Sequence, residues 1–487
     1  MAEGPKMDSE NKNIKKTENE SDGQILHNAG EATCNGSGVL TRIGNVSDNT
    51  ISILASIAVF ILLAVPAVMC FFALKIRQID YTLPIHLNII RVWAFPIVSV
   101  IVAIIYILVL LRIRNSRTGI KEIIKNNSVF VIFSLMMIFI VISQVYHGIE
   151  KVPSDFFVLS FGESFDVVIT YFVFILFGST QVRKESHKRM LIRTQLIISI
   201  FMVVVAFILW HGYEKSDFFT DWDDRFSGIF TNANYFAYYL SVSVPLSAAA
   251  FIYEKKILWK MVSMGSLIIC TCGLSVNDSR GGTLATICAV GFIALAHYII
   301  EKKINVQVLI VIPVFLVALF VPVHIWGSNY TDEDQRGNIG QELEKFFAGD
   351  ETAGADRLKL WRQSVNIISE HMVLGIGFEG VLVDLNEEGV KYDIDGLRPH
   401  NEFLQYALFF GIPMAALYIL GCLGFFIRAL RKREIMDEAT LACLAGAFGY
   451  LVGSFFGITI FSTAMYLFIF LGMGYVREVK NDTPVTD

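Results

Sequence analysis

The sequence predicts an all-α polytopic membrane protein with about twelve transmembrane helices. Three observations carry that prediction. Hydrophobic residues make up 54% of the chain and charged residues only 17%, and mean hydropathy is +0.55, a balance foreign to soluble globular domains. Apolar runs of membrane-spanning length recur along almost the whole chain after Ile51. Lys and Arg gather in alternate loops, as the positive-inside rule requires of a chain that crosses repeatedly. The formal net charge of −5 says little beside this, because the location of charge decides orientation and its sum does not.

Residues 1–49 are polar and rich in Lys, Glu, Asn, Ser and Gly, a composition expected to stay disordered as a cytoplasmic tail. The tail lacks the apolar core of a secretory signal peptide, so none is expected. Spans are then expected near 51–74, 94–111, 128–149, 165–179, 196–213, 235–253, 261–276, 283–300 and 308–326. The fourth is short and opens near Asp166. Three more follow near 403–427, 441–458 and 461–475. The chain thus divides into the tail 1–49, a membrane block 50–326, one large extracytoplasmic loop 327–402, a second membrane block 403–477 and a tail 478–487.

Basic residues set the orientation. Arg112, Arg114, Arg117, Lys121 and Lys125 fill one loop, and Arg183, Lys184, Lys188, Arg189 and Arg193 another. Lys255, Lys256 and Lys260 follow, then Lys302 and Lys303, then Arg428, Arg431, Lys432 and Arg433. Cytoplasmic termini satisfy all of them. Segments 215–231, 277–282 and 327–402 then face outward. Within the long loop, Ile339, Leu343, Phe346 and Phe347 space out as an amphipathic helix lying on the membrane. Leu358, Trp361, Val365 and Ile368 recur at helical spacing, so 356–370 is expected to be a second helix.

The seven cysteines build no disulfide framework. Six lie in or beside apolar spans and Cys34 lies in the tail, which makes them small packing residues. Apart from His400, the other eight histidines are scattered and show no metal-ligand spacing. No phosphate-binding glycine loop, nucleophilic triad or nucleic-acid patch is present.

The outward segments hold the residues that stand out. Arg280 is wedged in Asn277-Asp278-Ser279-Arg280-Gly281-Gly282 between two spans. An arginine at membrane depth marks a site, or else snorkels beside Asp278. Arg357 lies one turn before Trp361, either gripping phosphate oxygens in a fork or decorating a solvated helix face. His400 follows Pro399 at the mouth of a span and either serves as a general base or is structural. Asn401 and Glu402 next to it orient the imidazole or cap the helix. Arg225 through Gly228, with Asn232 and Asn234, form a cluster that binds sugar hydroxyls or caps a span.

Taken in order, these segments resemble the O-antigen ligase and polymerase superfamily. The matching pieces are Arg225-x-x-Gly228 with Asn234; Ser279-Arg280-Gly281; Arg357 and Trp361 followed by Leu374-Gly375-Ile376-Gly377; and His400-Asn401-x-x-Leu404-Gln405 ending in Gly411-Ile412. The resemblance implies a C-type glycosyltransferase-like helical fold in a bacterial cytoplasmic membrane. It implies a metal-independent enzyme, without cofactor, that uses sugars carried on undecaprenyl diphosphate. Arg280 and Arg357 would hold the diphosphate, His400 would activate the acceptor hydroxyl, and Arg225, Asn234, Asn401 and Glu402 would bind substrate. Glu402 stands where the family often has a small or polar residue. The expected activity is polymerisation of repeat units into a surface polysaccharide, because no feature marks a specific lipid or protein acceptor. A ligase is the alternative within the family, and a polysaccharide transporter or flippase, or a structural scaffold, the alternatives outside it. A transporter calls for ionisable groups near mid-bilayer, whereas the candidate charges here cluster at the outer rim and Asp166 is the only possible intramembrane acid. Expected partners are the lipid-linked oligosaccharide, the bilayer and other polysaccharide-assembly proteins, and no nucleic acid.

Overall fold

The computed structural model describes residues 50, 53, 54, 56–61, 63, 64, 104, 128–147, 165–182, 184–212, 225–228, 230, 232–326, 339–354, 357–377, 398–459 and 461–476. The expected tails 1–49 and 478–487 fall outside them. So do nearly all of the span 94–111, part of the span 51–74, the loop 112–125 and most of 215–231. Among the described residues every regular element is helical. The elements are α1 (Ser128–His147), α2 (Phe165–Gln181), α3 (Glu185–Gly212), α4 (Ala233–Tyr253), α5 (Ile257–Asn277), α6 (Arg280–Glu301) and α7 (Val306–Trp326). They continue with α8 (Ile339–Ala348), α9 (Arg357–Glu370), α10 (Glu402–Phe410), α11 (Ile412–Arg431), α12 (Glu438–Ser454) and α13 (Phe461–Met473).

Six helices are long and apolar enough to cross a membrane: Glu185–Ile208, Ala233–Tyr253, Ile257–Asn277, Arg280–Glu301, Val306–Val323 and Ile412–Arg431. Val131–His147, Glu438–Ser454 and Thr463–Met473 are shorter apolar helices. The chain is therefore an all-helical, multi-pass membrane protein. α4 is its central post, buried along nearly its whole length and packed against α5, α6 and α12. Lipid tails are as apolar as leucine, so close backbone contact has to hold such helices together, and small residues permit it. Ser241, Ser243, Ser247, Ala248 and Ala249 of α4 are all buried. Across from them, a Cβ on Gly449 of α12 would collide with the Ser241 carbonyl.

Two expected boundaries differ. The span expected over 196–213 begins at Glu185 instead, so Lys188, Arg189 and Arg193 stand on the helix rather than in a loop. Partners make this possible. Lys188 donates to Asp437 at 2.8 Å and to Thr440 at 2.7 Å. Arg189 pairs with Glu438, and Arg193 pairs with Glu254 at 2.6 Å and lies over the Trp259 ring. These contacts lace α3, α12 and the α4–α5 turn together at one end of the bundle.

The span expected over 403–427 is two helices, α10 and α11, broken at Gly411. Gly411 adopts φ +88°, a conformation glycine tolerates and other residues do not. A crossing strap accounts for the break. Ile412 N–H donates to Met372 O at 2.8 Å, while Ile376 and Gly377 N–H donate to Leu408 O and Phe409 O, each at 2.9 Å. The strap thus takes up carbonyls that a helix end leaves without partners. It sits so close that a Cβ on Gly375 would strike the backbone of Phe409. Ser143 of α1 joins strap and helix, donating to Leu374 O at 2.6 Å and reaching Phe409 O at 3.4 Å. In a membrane protein, broken helices persist only where protein satisfies their backbone.

Candidate functional site

The end opposite the ion pairs gathers the polar turns. Asn277 closes α5 and donates to Phe226 O at 2.5 Å and Ala233 O at 2.9 Å. Asp278 turns the chain with φ +57°, and Ser279 caps α6, whose first residue is Arg280. Ser279 Oγ also donates to Asn234 Oδ1 at 3.1 Å, while Asn232 caps α4. One frame of asparagine and serine bonds thus fixes the backbone that carries both Arg225 and Arg280. The sequence reading of Asn234 as a sugar ligand meets a partner here, since its carbonyl oxygen already braces the Arg280 turn.

Arg357 opens α9, one turn before Trp361. Burial and repulsion from Arg225 and Arg280 push its pKa down, against attraction to Tyr238. The three guanidiniums therefore share one electrostatic neighbourhood, although they come from distant parts of the chain. Tyr238 of α4 lies among them, in reach of Arg357, Arg225 and Glu402, and its hydroxyl donates to Phe456 O at 2.9 Å.

His400 joins the same neighbourhood. Its backbone is left-handed, with φ +48°, unusual for a residue with a side chain. Trp361 Nε1 donates to Pro399 O at 2.8 Å, tying α9 to the residue before it. Asn401 caps α10 after it, its Oδ1 accepting from Leu404 N–H at 3.0 Å. Burial first, then the positive charges of Arg357 and Arg398, push the imidazole pKa down to about 4. Two charges and a dehydrated pocket oppose protonation, so the ring is neutral at physiological pH.

The sequence-predicted residues Arg225, Arg280, Arg357 and His400 thus converge. Asn401 and Glu402 lie beside them but face inward, at 3% and 0% exposure. Sequence reasoning missed Arg398 and Tyr238. Arg398 had a usable signal, two residues before His400, whereas a tyrosine inside an apolar span looks like any core aromatic.

Beside the cluster runs an apolar groove of about 750 Å³, lined among others by Trp361, Asn401, Phe403, Leu404, Ile419 and Phe455. It shares Trp361 and Asn401 with the walls of the arginine site. Among the described residues no group of three or more His, Cys, Asp or Glu is placed to hold a metal ion.

Residues 265–419 match a family model described as O-antigen ligase. That segment holds Arg280, Arg357, His400, Asn401 and Glu402, while Arg225 and Asn234 precede it. A comparison with curated proteins found no match. Members of the matched family are glycosyltransferase-like enzymes acting on lipid-linked glycans. The matched segment is about a third of the chain; over it, and in the ordered motifs whose residues the fold brings together, the chain is similar to the O-antigen ligase family.

Proposed function

We propose that the protein is a membrane glycosyltransferase that polymerises undecaprenyl-diphosphate-linked repeat units into a cell-surface polysaccharide, working at the outer face of a bacterial cytoplasmic membrane. The observation that carries this reading is the convergence of Arg225, Arg280 and Arg357 with a neutral His400, next to an apolar groove. A diphosphate needs guanidiniums, a polyprenyl chain needs an apolar channel, and an acceptor hydroxyl needs a neutral base. The site supplies all three side by side. The large loop 327–402 then lies outside the membrane and delivers Arg357 and His400 to it.

In this mechanism the acceptor hydroxyl oxygen attacks the anomeric carbon of the donor sugar. The new C–O bond forms as the bond from that carbon to the diphosphate oxygen breaks. His400 takes the hydroxyl proton. The electron pair leaves with undecaprenyl diphosphate, whose growing charge Arg280 and Arg357 stabilise in place. Asn401 serves by capping α10 and fixing the imidazole's backbone.

Turnover by the purified, reconstituted protein with native lipid-linked oligosaccharide tests the reading. The expected product is a ladder of longer glycans still on the lipid. Movement of an unextended glycan to another acceptor would make the protein a ligase, and no sugar transfer at all would refute the enzymatic reading. EDTA is expected to leave the rate unchanged, as the superfamily resemblance implies. His400→Ala is expected to retain donor binding and lose transfer by about a hundredfold to ten-thousandfold.

A further inference from the structure

One carboxyl group beside the site is turned away from solvent. Glu402 is the first residue of α10 and is 0% exposed. Its Oε1 accepts a hydrogen bond from the Tyr418 hydroxyl at 2.8 Å. Tyr418 belongs to α11, beyond the break at Gly411, and is itself fully buried. Rings wedge it on several sides: Tyr406 at 4.7 Å, Phe403 at 5.9 Å and Phe468 at 6.4 Å. The phenol therefore has little freedom to follow a moving partner. A buried carboxyl group requires such a partner, since leaving it unbonded is costly.

The bond bridges the two halves of the broken helix. At the break, backbone bonds from 372–377 hold α10 by its C-terminal end. At its N-terminal end, side-chain anchors do the work. Asn401 caps the helix and Glu402 ties its first turn to α11. His400 immediately precedes both, in a left-handed backbone that few residues with a side chain adopt. Whatever fixes the first turn of α10 fixes the direction of the imidazole.

We propose that Glu402 is a positioning residue: its bond to Tyr418 clamps the start of α10 across the helix break, aims His400 at the acceptor, and makes no contact with substrate. The kinetic part rests on the glycosyltransferase reading above, while the geometric part does not. Losing a buried bond to a carboxylate is expected to lower kcat about tenfold.

The test compares Glu402→Gln, Glu402→Ala, Tyr418→Phe and the double variant Glu402→Ala/Tyr418→Phe in the full-length, reconstituted protein. Glutamine keeps an oxygen for the Tyr418 hydroxyl, so Glu402→Gln is expected near wild type. Glu402→Ala and Tyr418→Phe are each expected to lose kcat about tenfold, with donor KM within about twofold of wild type, and the double variant to lose no more than Glu402→Ala. In parallel, carbethoxylation of His400 by diethyl pyrocarbonate is followed by peptide mass spectrometry, which needs no turnover. Faster labelling is expected in Glu402→Ala and Tyr418→Phe, and wild-type labelling in Glu402→Gln. Raised donor KM in both Glu402→Gln and Glu402→Ala would make Glu402 a substrate ligand and overturn the proposal. So would multiplying losses in the double variant, or one labelling rate for His400 in every protein. Absence of transfer by the wild type would refute the glycosyltransferase reading alone, and the labelling arm would still decide the clamp.

Discussion

His400 is held neutral before any substrate arrives, and the cause of that state has a kinetic consequence. Burial and the charges of Arg357 and Arg398 lower its pKa to about 4. A bound diphosphate would offset the arginine charge, removing part of the repulsion and letting the pKa climb back toward the ordinary histidine value. The acidic limb of kcat/KM reports the free enzyme, and that of kcat the complex. The base works deprotonated, so both limbs fall with acid. The kcat/KM limb is expected near pH 4 and the kcat limb at higher pH. Coincident limbs in a pH–rate series would show that the diphosphate does not sit against the arginines. The folded pKa lies below the unfolded one, so the unfolded chain binds more protons between about pH 4 and about pH 6.5. His400 therefore costs stability progressively as pH falls through that window. The arginines themselves predict a second outcome. Arg357→Ala is expected to lower kcat by about a hundredfold to a thousandfold, and Arg357→Lys to recover little, because an ammonium lacks the planar fork. Full activity in a well-inserted Arg357→Ala protein would remove Arg357 from the mechanism. At this scale the sequence was informative where chemistry forces unusual placement: an arginine between spans, a histidine after proline. It was uninformative for Tyr238, whose burial among aromatics matches ordinary core packing, and for the inward turn of Glu402, which depends on Tyr418 across the helix break.

Elements follow sequence closely where one helix decides its own fate and less closely where a neighbour decides. The helix expected over 356–370 appears as Arg357–Glu370, and the amphipathic segment as Ile339–Ala348. Phe347 of that segment is 84% exposed. The apolar stretch after His400 reads as one unbroken span, because its residues stay hydrophobic through the break. What breaks it is the strap 372–377, which no local pattern announces, although Gly411 and Pro413 permit it. A methyl group at Gly411 would meet the Val373 carbonyl while the residue is held at positive φ. Gly265 in α5 has nothing within 4 Å of an added Cβ. Gly411→Ala is therefore expected to destabilise the protein by about 1–3 kcal/mol or more, and to lower activity with it. Gly265→Ala is expected to be neutral or slightly stabilising. Thermal unfolding of the two variants in detergent checks this directly, and equal melting temperatures would show that the strap does not hold the break.

At the scale of the whole molecule, the bundle has two chemically distinct ends. Ion pairs of Lys188, Arg189 and Arg193 with Asp437, Glu438 and Glu254 lace one end. The arginine–histidine site occupies the other. The separation of the two ends was legible in the sequence, because Lys and Arg gather in alternate loops, the pattern that the positive-inside rule reads. The start of α3 was not legible, because its basic residues are stabilised by carboxylates in the α4–α5 turn and at the start of α12 that lie remote in sequence. The same rule makes a prediction for the intact cell. If the ion-paired end faces the cytoplasm, the segment between α8 and α9 faces outward, together with the site. Thr352 lies in that segment and is exposed. Among the described cysteines, Cys270, Cys422 and Cys443 are buried, Cys272 is half-buried within the apolar helix α5, and Cys288 is exposed midway along the apolar helix α6. None of these should react readily with a water-soluble reagent from either side. Thr352→Cys is therefore expected to label with a membrane-impermeant maleimide in intact cells, above the wild-type background. A cysteine at Lys302, in the turn between α6 and α7, is expected to label only after the membrane is opened. The reverse pattern would turn the molecule over. The arginines and His400 would then face the cytoplasm, where they would meet lipid-linked units on the side where those units are made, and polymerisation at the outer face would have to be abandoned.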